Sequence, residues 1–298
     1  MTRSPAHSIL RCIGVFAAVV LSLVWPAPLA RAEADAAWSS AYPSIVADLR
    51  AGKPLVTVVM VPLCSNAQID CGSKAAGDAG SLATNLYWGA VFGARRHFDR
   101  KNSGWERVDV ETPPASGDGT LERAVYRRRP RGSAWGVANN VEQIVVLEAV
   151  HGDRIDRAVD RFWSIATSGA RVRFRDGGRV REERVHVTGY AGHNRLMDNK
   201  KLPAAPERSS GATPSFVMAC YSESYFASSL RAAGSSLLVS TRALMAPEGY
   251  VVDAMTRALG DNLSQAAVRD RVVREYAKWQ RLSFGTASSM FSRVGKPR

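Results

Sequence analysis

The chain lacks long apolar runs, has few cysteines and histidines, and shows no repeats. Each shortage excludes something. Its 298 residues contain no stretch like the ~20 apolar residues of a membrane-spanning helix; the run IGVFAAVVLSLV (Ile13–Val24) stops at twelve. Four Cys and five His form no paired CxxC and no Cys/His spacing of a zinc site. No internal repeat or low-complexity tract appears, so the two-lobed duplication expected of a periplasmic small-ligand receptor is missing. The balance of 46% hydrophobic, 22% charged and 8% aromatic residues sets aside disorder, collagen and coiled coil. A chain of this length buries a sizeable core without dense disulfides or metals.

Acidic residues are also absent from residues 1–32, which carry Arg3, Arg11 and Arg31. Those arginines precede and follow the twelve-residue apolar run. Pro26 breaks the segment and Ala30-Arg31-Ala32 forms an A-x-A site. This is the pattern of a secretory signal peptide cleaved before Glu33, giving an exported protein, periplasmic or secreted. Without that stretch 37 basic residues face 27 acidic ones, a net charge of +10. Cys64, Cys71 and Cys220 then remain in an oxidising compartment. Cys64 and Cys71 bracket the short polar loop SNAQID, so the expected bridge is Cys64–Cys71 with Cys220 free; two other pairings are also possible.

Five short apolar runs recur: Leu55–Val61, Ile144–Val150, Val185–Ala191, Ser215–Ala219 and Ser236–Ser240. Most are continuously apolar and β-branched, as in strands buried on both faces of a parallel sheet. Helical patterns follow at Leu82–Phe98, Asp153–Gly169, Glu223–Gly234 and Pro247–Gly260, the last with Pro at its first position and Gly at its end. The alternation predicts one α/β domain over 33–298, with a mostly parallel sheet between helix layers and a core at about 55–260. An amphipathic helix at about 263–284, capped by Asn262 and Gln265, closes it. Residues Asp99–Asn140 read as a loop or small hairpin insertion. Arg171–Arg184, centred on Asp176-Gly177-Gly178, reads as a two-stranded hairpin.

Ligands of open α/β sheets sit beyond the carboxyl ends of the strands. The residues just past the ends of these runs are Cys64 with Asn66, then His151, His193, Cys220, and Thr241 with Arg242. Cys220 and His193 belong to consecutive runs, whose strands would lie about 4.8 Å apart if adjacent. A thiolate is a nucleophile, and a neighbouring His activates it and serves as general acid. The backbone N–H of Cys220, opening the turn into a helix, is a candidate oxyanion donor. Gly192 permits a close approach of the chain before His193. His151-Gly152 is a rival dipeptide, but Asp153 after it reads as a helix start, which favours His193.

An apolar strand ending in His beside a Gly, followed by one ending in Ala219-Cys220-x-Ser222, resembles the caspase, legumain and gingipain superfamily of cysteine peptidases. The segment STRALMAPEGYVV is similar to the strand, loop and helix bordering their substrate pocket. HGDRIDRAVDRFW is similar to their second strand and helix. NLYWGA, GHNRLMD, ACYSESYF and LMAPEGY look like a bacterial exported group within that superfamily. The resemblance covers roughly Leu55 to Gly260. It implies a caspase-like three-layer fold, a peptide or protein substrate, Cys220 as nucleophile and His193 as general acid/base, with no metal or organic cofactor. The superfamily's Gly after the His is replaced by Asn194, which tolerates left-handed backbone and is expected to present its amide to the oxyanion. Ser222, Thr241, Arg242 and Asn66 are expected to line the substrate pocket, with Asn85, Tyr87 and Trp88 near its mouth. Arg195 and Arg242 would favour an acidic substrate group.

Two arginine clusters stand apart from this site. Arg123, Arg127, Arg128, Arg129 and Arg131 lie in the insertion; Arg171, Arg173, Arg175, Arg179 and Arg181 lie in the hairpin. They suit an anionic envelope polymer or a membrane surface. Nucleic acid is not expected, since no recognition motif accompanies them. The alternative to a peptidase is therefore an inactive caspase-like fold that binds an envelope partner through its basic insertion.

Overall fold

The computed structural model describes residues 36–112, 118–204 and 211–293; the signal-peptide expectation lies outside them. In chain order the elements are α1 (Pro43–Arg50), β1 (Leu55–Pro62), α2 (Ala94–Phe98), β2 (Glu106–Glu111), β3 (Thr120–Arg128), β4 (Gln143–Val150) and α3 (Ile155–Ser168). Then come β5 (Arg171–Asp176), β6 (Arg179–Arg184), β7 (Val187–Ala191), β8 (Ser215–Met218), α4 (Ser222–Ala232), β9 (Leu237–Val239), α5 (Gly249–Gly260), α6 (Gln265–Gln280) and α7 (Phe284–Met290).

All five apolar runs form strands, and β1, β4, β7 and β8 are buried along their whole length. They belong to one seven-stranded sheet of order β2-β3-β4-β1-β7-β8-β9. The five strands from β4 to β9 are parallel, while β3 and β2 extend the sheet antiparallel. The fold is thus α/β, a three-layer α/β/α arrangement with a mostly parallel sheet and the separate antiparallel hairpin β5–β6.

Alternation along β1 builds the layers. Leu55, Val59 and Val61 pack with Tyr250, Val251, Met255 and Val272 of α5 and α6. Val56, Val58 and Met60 pack on the other face with Phe162 and Trp163 of α3 and Phe226 and Leu230 of α4. The buried stripe of α3 (Ile155, Ala158, Val159, Phe162, Trp163, Ala166) has helical spacing, and Gly169 at φ 71° ends the helix. Burying each large side chain contributes roughly 1.5–3 kcal/mol.

Three expectations change. Leu82–Phe98 is a series of turns whose only helix is α2. Asn85 explains this: its side chain accepts from the N–H of Cys64 and Tyr87 and donates to the carbonyls of Cys64 and Asp78, competing with helical bonding. A Cβ on Gly89 would sit 2.2 Å from the Leu82 carbonyl oxygen, so the chain folds back through a space only glycine leaves. Of the two forms expected for the insertion, the hairpin is the one present: β2 and β3 pair antiparallel and extend the main sheet, with Arg127 and Arg128 in β3. Pro247 lies outside α5, whose N-cap is Glu248. At α6 the N-cap is Ser264, accepting from the Ala267 N–H, while Asn262 takes a left-handed φ of 50°.

The hairpin forms as expected, with Gly177 and Gly178 both at positive φ in its two-residue turn. Cys64 and Cys71 are bridged and the Cys220 thiol is free, an arrangement compatible with an exported protein. Among the described residues, no helix is long and apolar enough to cross a membrane.

Candidate active site

The chain leaves β1 toward β4 on one side and leaves β7 toward β8 on the other. In open α/β sheets such a change of direction marks where ligands sit, beyond the carboxyl ends of the strands. The register there matters most. Ala191 of β7 pairs with Met218 of β8, so His193 and Cys220 each stand two residues beyond the same rung. A parallel ladder spaces its strands about 4.8 Å apart, which brings the two residues out side by side. Gly192 serves the approach foreseen for it: a Cβ there would lie 2.6 Å from Pro62 Cγ at the end of β1. His151 follows β4, three strands from β8, or about 14 Å across the ladder. Its Nδ1 accepts from the Asp153 N–H and caps the turn before α3.

Cys220 is partly exposed. Its thiol faces the backbone of Met245, lying 3.6 Å from the carbonyl oxygen and 3.4 Å from the N–H, which donates to the sulfur. The next residue, Tyr221, adopts a left-handed φ of 50° and precedes α4, a costly conformation for a residue with a side chain. The Tyr221 N–H donates to the Ala243 carbonyl. The Cys220 N–H has no hydrogen-bond partner among the described residues.

His193 is held from both sides. Its carbonyl accepts from the buried Tyr190 hydroxyl at 2.7 Å. Its Nε2 lies 2.6 Å from Asp198 Oδ2. A carboxylate accepts, so Nε2 is the donor, and in the neutral ring the lone pair falls on Nδ1. Nδ1 has no hydrogen-bond partner among the described residues, nor does a hydrogen bond join the ring to the Cys220 sulfur. Asp198 is in turn fixed by Arg195, which also binds Asp156. Sequence reasoning missed Asp198; its signal was a carboxylate five residues after the His within GHNRLMD.

Asn194 does something other than expected. Its backbone is extended at φ −81°, not left-handed. Its side chain is fully buried, donating from Nδ2 to the Cys220 carbonyl at 2.6 Å and accepting the Leu196 N–H at Oδ1. It therefore ties the His193 loop to the Cys220 turn. Its own backbone N–H is buried and without a partner among the described residues.

The other sequence-derived residues divide differently. Ser222 and Thr241 have no exposed surface. Ser222 donates to the Val217 carbonyl and Thr241 to the Ala219 carbonyl, and the two hydroxyl oxygens lie 3.2 Å apart. They brace the Cys220 turn from beneath and line no opening. Arg242 is exposed, paired with Glu223, and flanks a separate cleft with Arg269, Asp270 and Phe284. Asn66 organises the disulfide loop, accepting the Cys71 N–H and donating to the Ser73 carbonyl. Asn85, Tyr87 and Trp88 are buried.

Below Cys220 lies a buried polar floor. Burial raises the Tyr87 hydroxyl well above its ordinary value, and the nearby Glu248 adds to the effect. Burial likewise raises the Glu248 carboxyl, against the hydrogen bonds of Tyr250 and Gln280. Tyr276 accepts the Ala246 N–H and so steadies the loop carrying Met245. At the rim, Leu244 is 61% exposed and Tyr221 39%, leaving an apolar border beside the thiol. Among the described residues no three His, Cys, Asp or Glu side chains gather to hold a metal ion. Comparison with protein families, with curated proteins and with solved structures finds no match to this chain.

Proposed function

We propose that this protein is an exported cysteine peptidase or related amidase, periplasmic or secreted, of the caspase-like kind. The observation that carries the reading is the shared register of His193 and Cys220 beyond adjacent parallel strands. The apo thiol bonds Met245 and not His193, which suits a resting state, since catalytic hydrogen bonds often close only around substrate.

In the reaction, His193 Nδ1 takes the Cys220 thiol proton and the sulfur attacks the scissile carbonyl carbon. The carbonyl oxygen becomes an oxyanion facing the Cys220 N–H. His193 then gives its proton to the leaving amine, the C–N bond breaks and a thioester remains. Water, deprotonated by His193, adds to the thioester, and the departing thiolate recovers its proton. Asp198 keeps the proton on Nε2 and stabilises the imidazolium, as the carboxylate of a Ser-His-Asp triad does. The second expected donor, the Asn194 N–H, is buried and serves only if residues 192–194 lift. Losing one donor is worth roughly 3 kcal/mol of transition-state stabilisation.

The test is digestion of a peptide pool by the purified protein, read by mass spectrometry, with Cys220→Ala alongside. Cleavage by the wild type and none by the variant is expected; full activity in the variant sinks the mechanism. Alkylation of Cys220 should also slow in His193→Ala. An unchanged rate would favour a binding module on the same fold.

A further inference from the structure

Several insertion and hairpin arginines are committed to partners within the chain. Arg123 pairs with Glu111 and Glu148, and Arg127 with Glu106, Glu142 and Asp176. Arg171 pairs with Glu182, while Arg181 pairs with Glu142, Asp176 and Glu183. The cluster is therefore not a uniform basic surface. Arg173, Arg175 and Arg179 of the hairpin make no ion pair among the described residues and stand exposed; Arg128, Arg129 and Arg131, with Ser133 and Asp261, instead line an open cleft of ≈ 590 Å³.

We propose that this cleft binds a phosphoryl group. Arg131 is exposed and makes no ion pair among the described residues. Arg129 is 58% exposed and reaches only Glu106, at 4.0 Å. Arg128 gives one terminal nitrogen to Asp261 and the Arg257 carbonyl, while its Nε and other terminal nitrogen have no partner among the described residues. The single carboxylate lining the cleft is already shared, because Asp261 also binds Arg271 at 2.6 Å. The lining thus holds an excess of positive charge facing an open volume. Two exposed guanidinium forks, the remaining terminal nitrogen of Arg128 and a hydroxyl match the three or four acceptor oxygens of a phosphoryl group better than the two of a carboxylate.

The cleft is also built in advance. Trp135 Nε1 donates to the Gly260 carbonyl, Asn262 Nδ2 to the Ala134 carbonyl and the Val141 N–H to the Pro130 carbonyl. Arg128 stacks over Trp105, with Arg257 on the same ring. A Cβ on Gly132 would lie 1.9 Å from the Asn139 carbonyl oxygen, so the loop closes tightly on itself. Walls held this way lose little freedom on binding. Arg128 pairs in register with Gln143 at the amino end of β4, the opposite end of the sheet from Cys220. The inference is independent of the peptidase reading.

The experiment titrates the purified protein with inorganic phosphate at constant ionic strength, following tryptophan fluorescence. In parallel it is sedimented with phosphatidylglycerol or phosphatidylcholine vesicles. Arg129→Gln/Arg131→Gln is compared with Arg173→Gln/Arg175→Gln, which removes the same charge from the hairpin. Arg128 is left intact because it also braces Trp105. Saturable phosphate binding, weakened about tenfold or more in the first variant and less than about threefold in the second, supports the cleft with a free phosphoryl ligand. Binding to phosphatidylglycerol vesicles alone, with the same variant pattern, supports it with a lipid-borne phosphoryl. Equal weakening in both variants shows diffuse charge attraction and overturns the proposal. So does a wild type that binds neither probe.

Discussion

A histidine flanks each end of strand β7, and the two ring environments differ in one hydrogen bond. His186, before the strand, is buried: its Nδ1 accepts the Val56 N–H at 3.1 Å and its Nε2 meets Asp48 at 3.3 Å. His193, beyond the strand, meets Asp198 through Nε2 in the same manner, but its Nδ1 has no partner among the described residues. With both nitrogens engaged, the first ring joins α1, β1 and β7. With one nitrogen engaged, the second is oriented and still able to take a proton. A carboxylate beside a histidine therefore says little about chemistry; the fate of the other nitrogen decides.

The comparison breaks most readily at the end proposed to be catalytic. His193→Ala is expected to cut hydrolysis by about a hundredfold to ten-thousandfold, or about 3–5 kcal/mol of barrier. The thermal midpoint should fall less than in His186→Ala, since the ring accepts no buried backbone N–H. His186→Ala should do the reverse. It strands the Val56 N–H in the core and opens a cavity, costing about 2–4 kcal/mol in urea unfolding while leaving kcat of the surviving fold unchanged. If His186→Ala abolished turnover without loss of stability, the division of roles would be wrong.

A smaller effect sharpens the carboxylate's part. Asp198→Asn should lower kcat about tenfold to a hundredfold, because an amide can present the wrong partner to Nε2 and release the ring's orientation. Asp198 is 34% exposed, so solvent compensates part of the loss and stability should barely move. An unchanged kcat would reduce Asp198 to a surface ion-pair partner.

Much of this was legible in the residues. Continuous β-branched runs betray strands buried on both faces, and Gly177-Gly178 betrays its turn, because those signals are local. The bridge at Cys64–Cys71 followed from its short polar loop. What failed depended on contacts distant in sequence. The segment around Asn85 has apolar helical spacing, yet the Asn85 side chain engages the backbone of Cys64, twenty-one residues earlier. The insertion could be read only as a loop or a hairpin, because the acidic partners of Arg127 and Arg128, Asp176 and Asp261, lie far along the chain. At the site, the His-strand and Cys-strand order could be read, but not which polar residues would face outward. Ser222 and Thr241 stand beside Cys220 in the fold and point into its support.

The smallest effect isolates His186 by pH. Burial lowers its pKa below the ordinary 6.5, opposed by the hydrogen bond and charge of Asp48. Burial works to raise Asp48 in turn, but bonds from Lys53 and His186 outweigh it and hold the carboxyl below its usual value. A histidine with a lowered folded-state pKa binds fewer protons folded than unfolded. Its contribution is complete above 6.5 and is lost as pH falls from there toward the folded value. Protonation also costs the Val56 N–H its acceptor at Nδ1. Asn is the informative replacement, since its Oδ1 can occupy the place of Nδ1 and accept the same N–H without titrating. His186→Asn should be slightly less stable than wild type near neutral pH. The gap should narrow on acidification below 6.5, because only the wild type pays the protonation cost. Urea midpoints of both proteins across that range measure it, and two parallel curves would mean that His186 does not set the pH response.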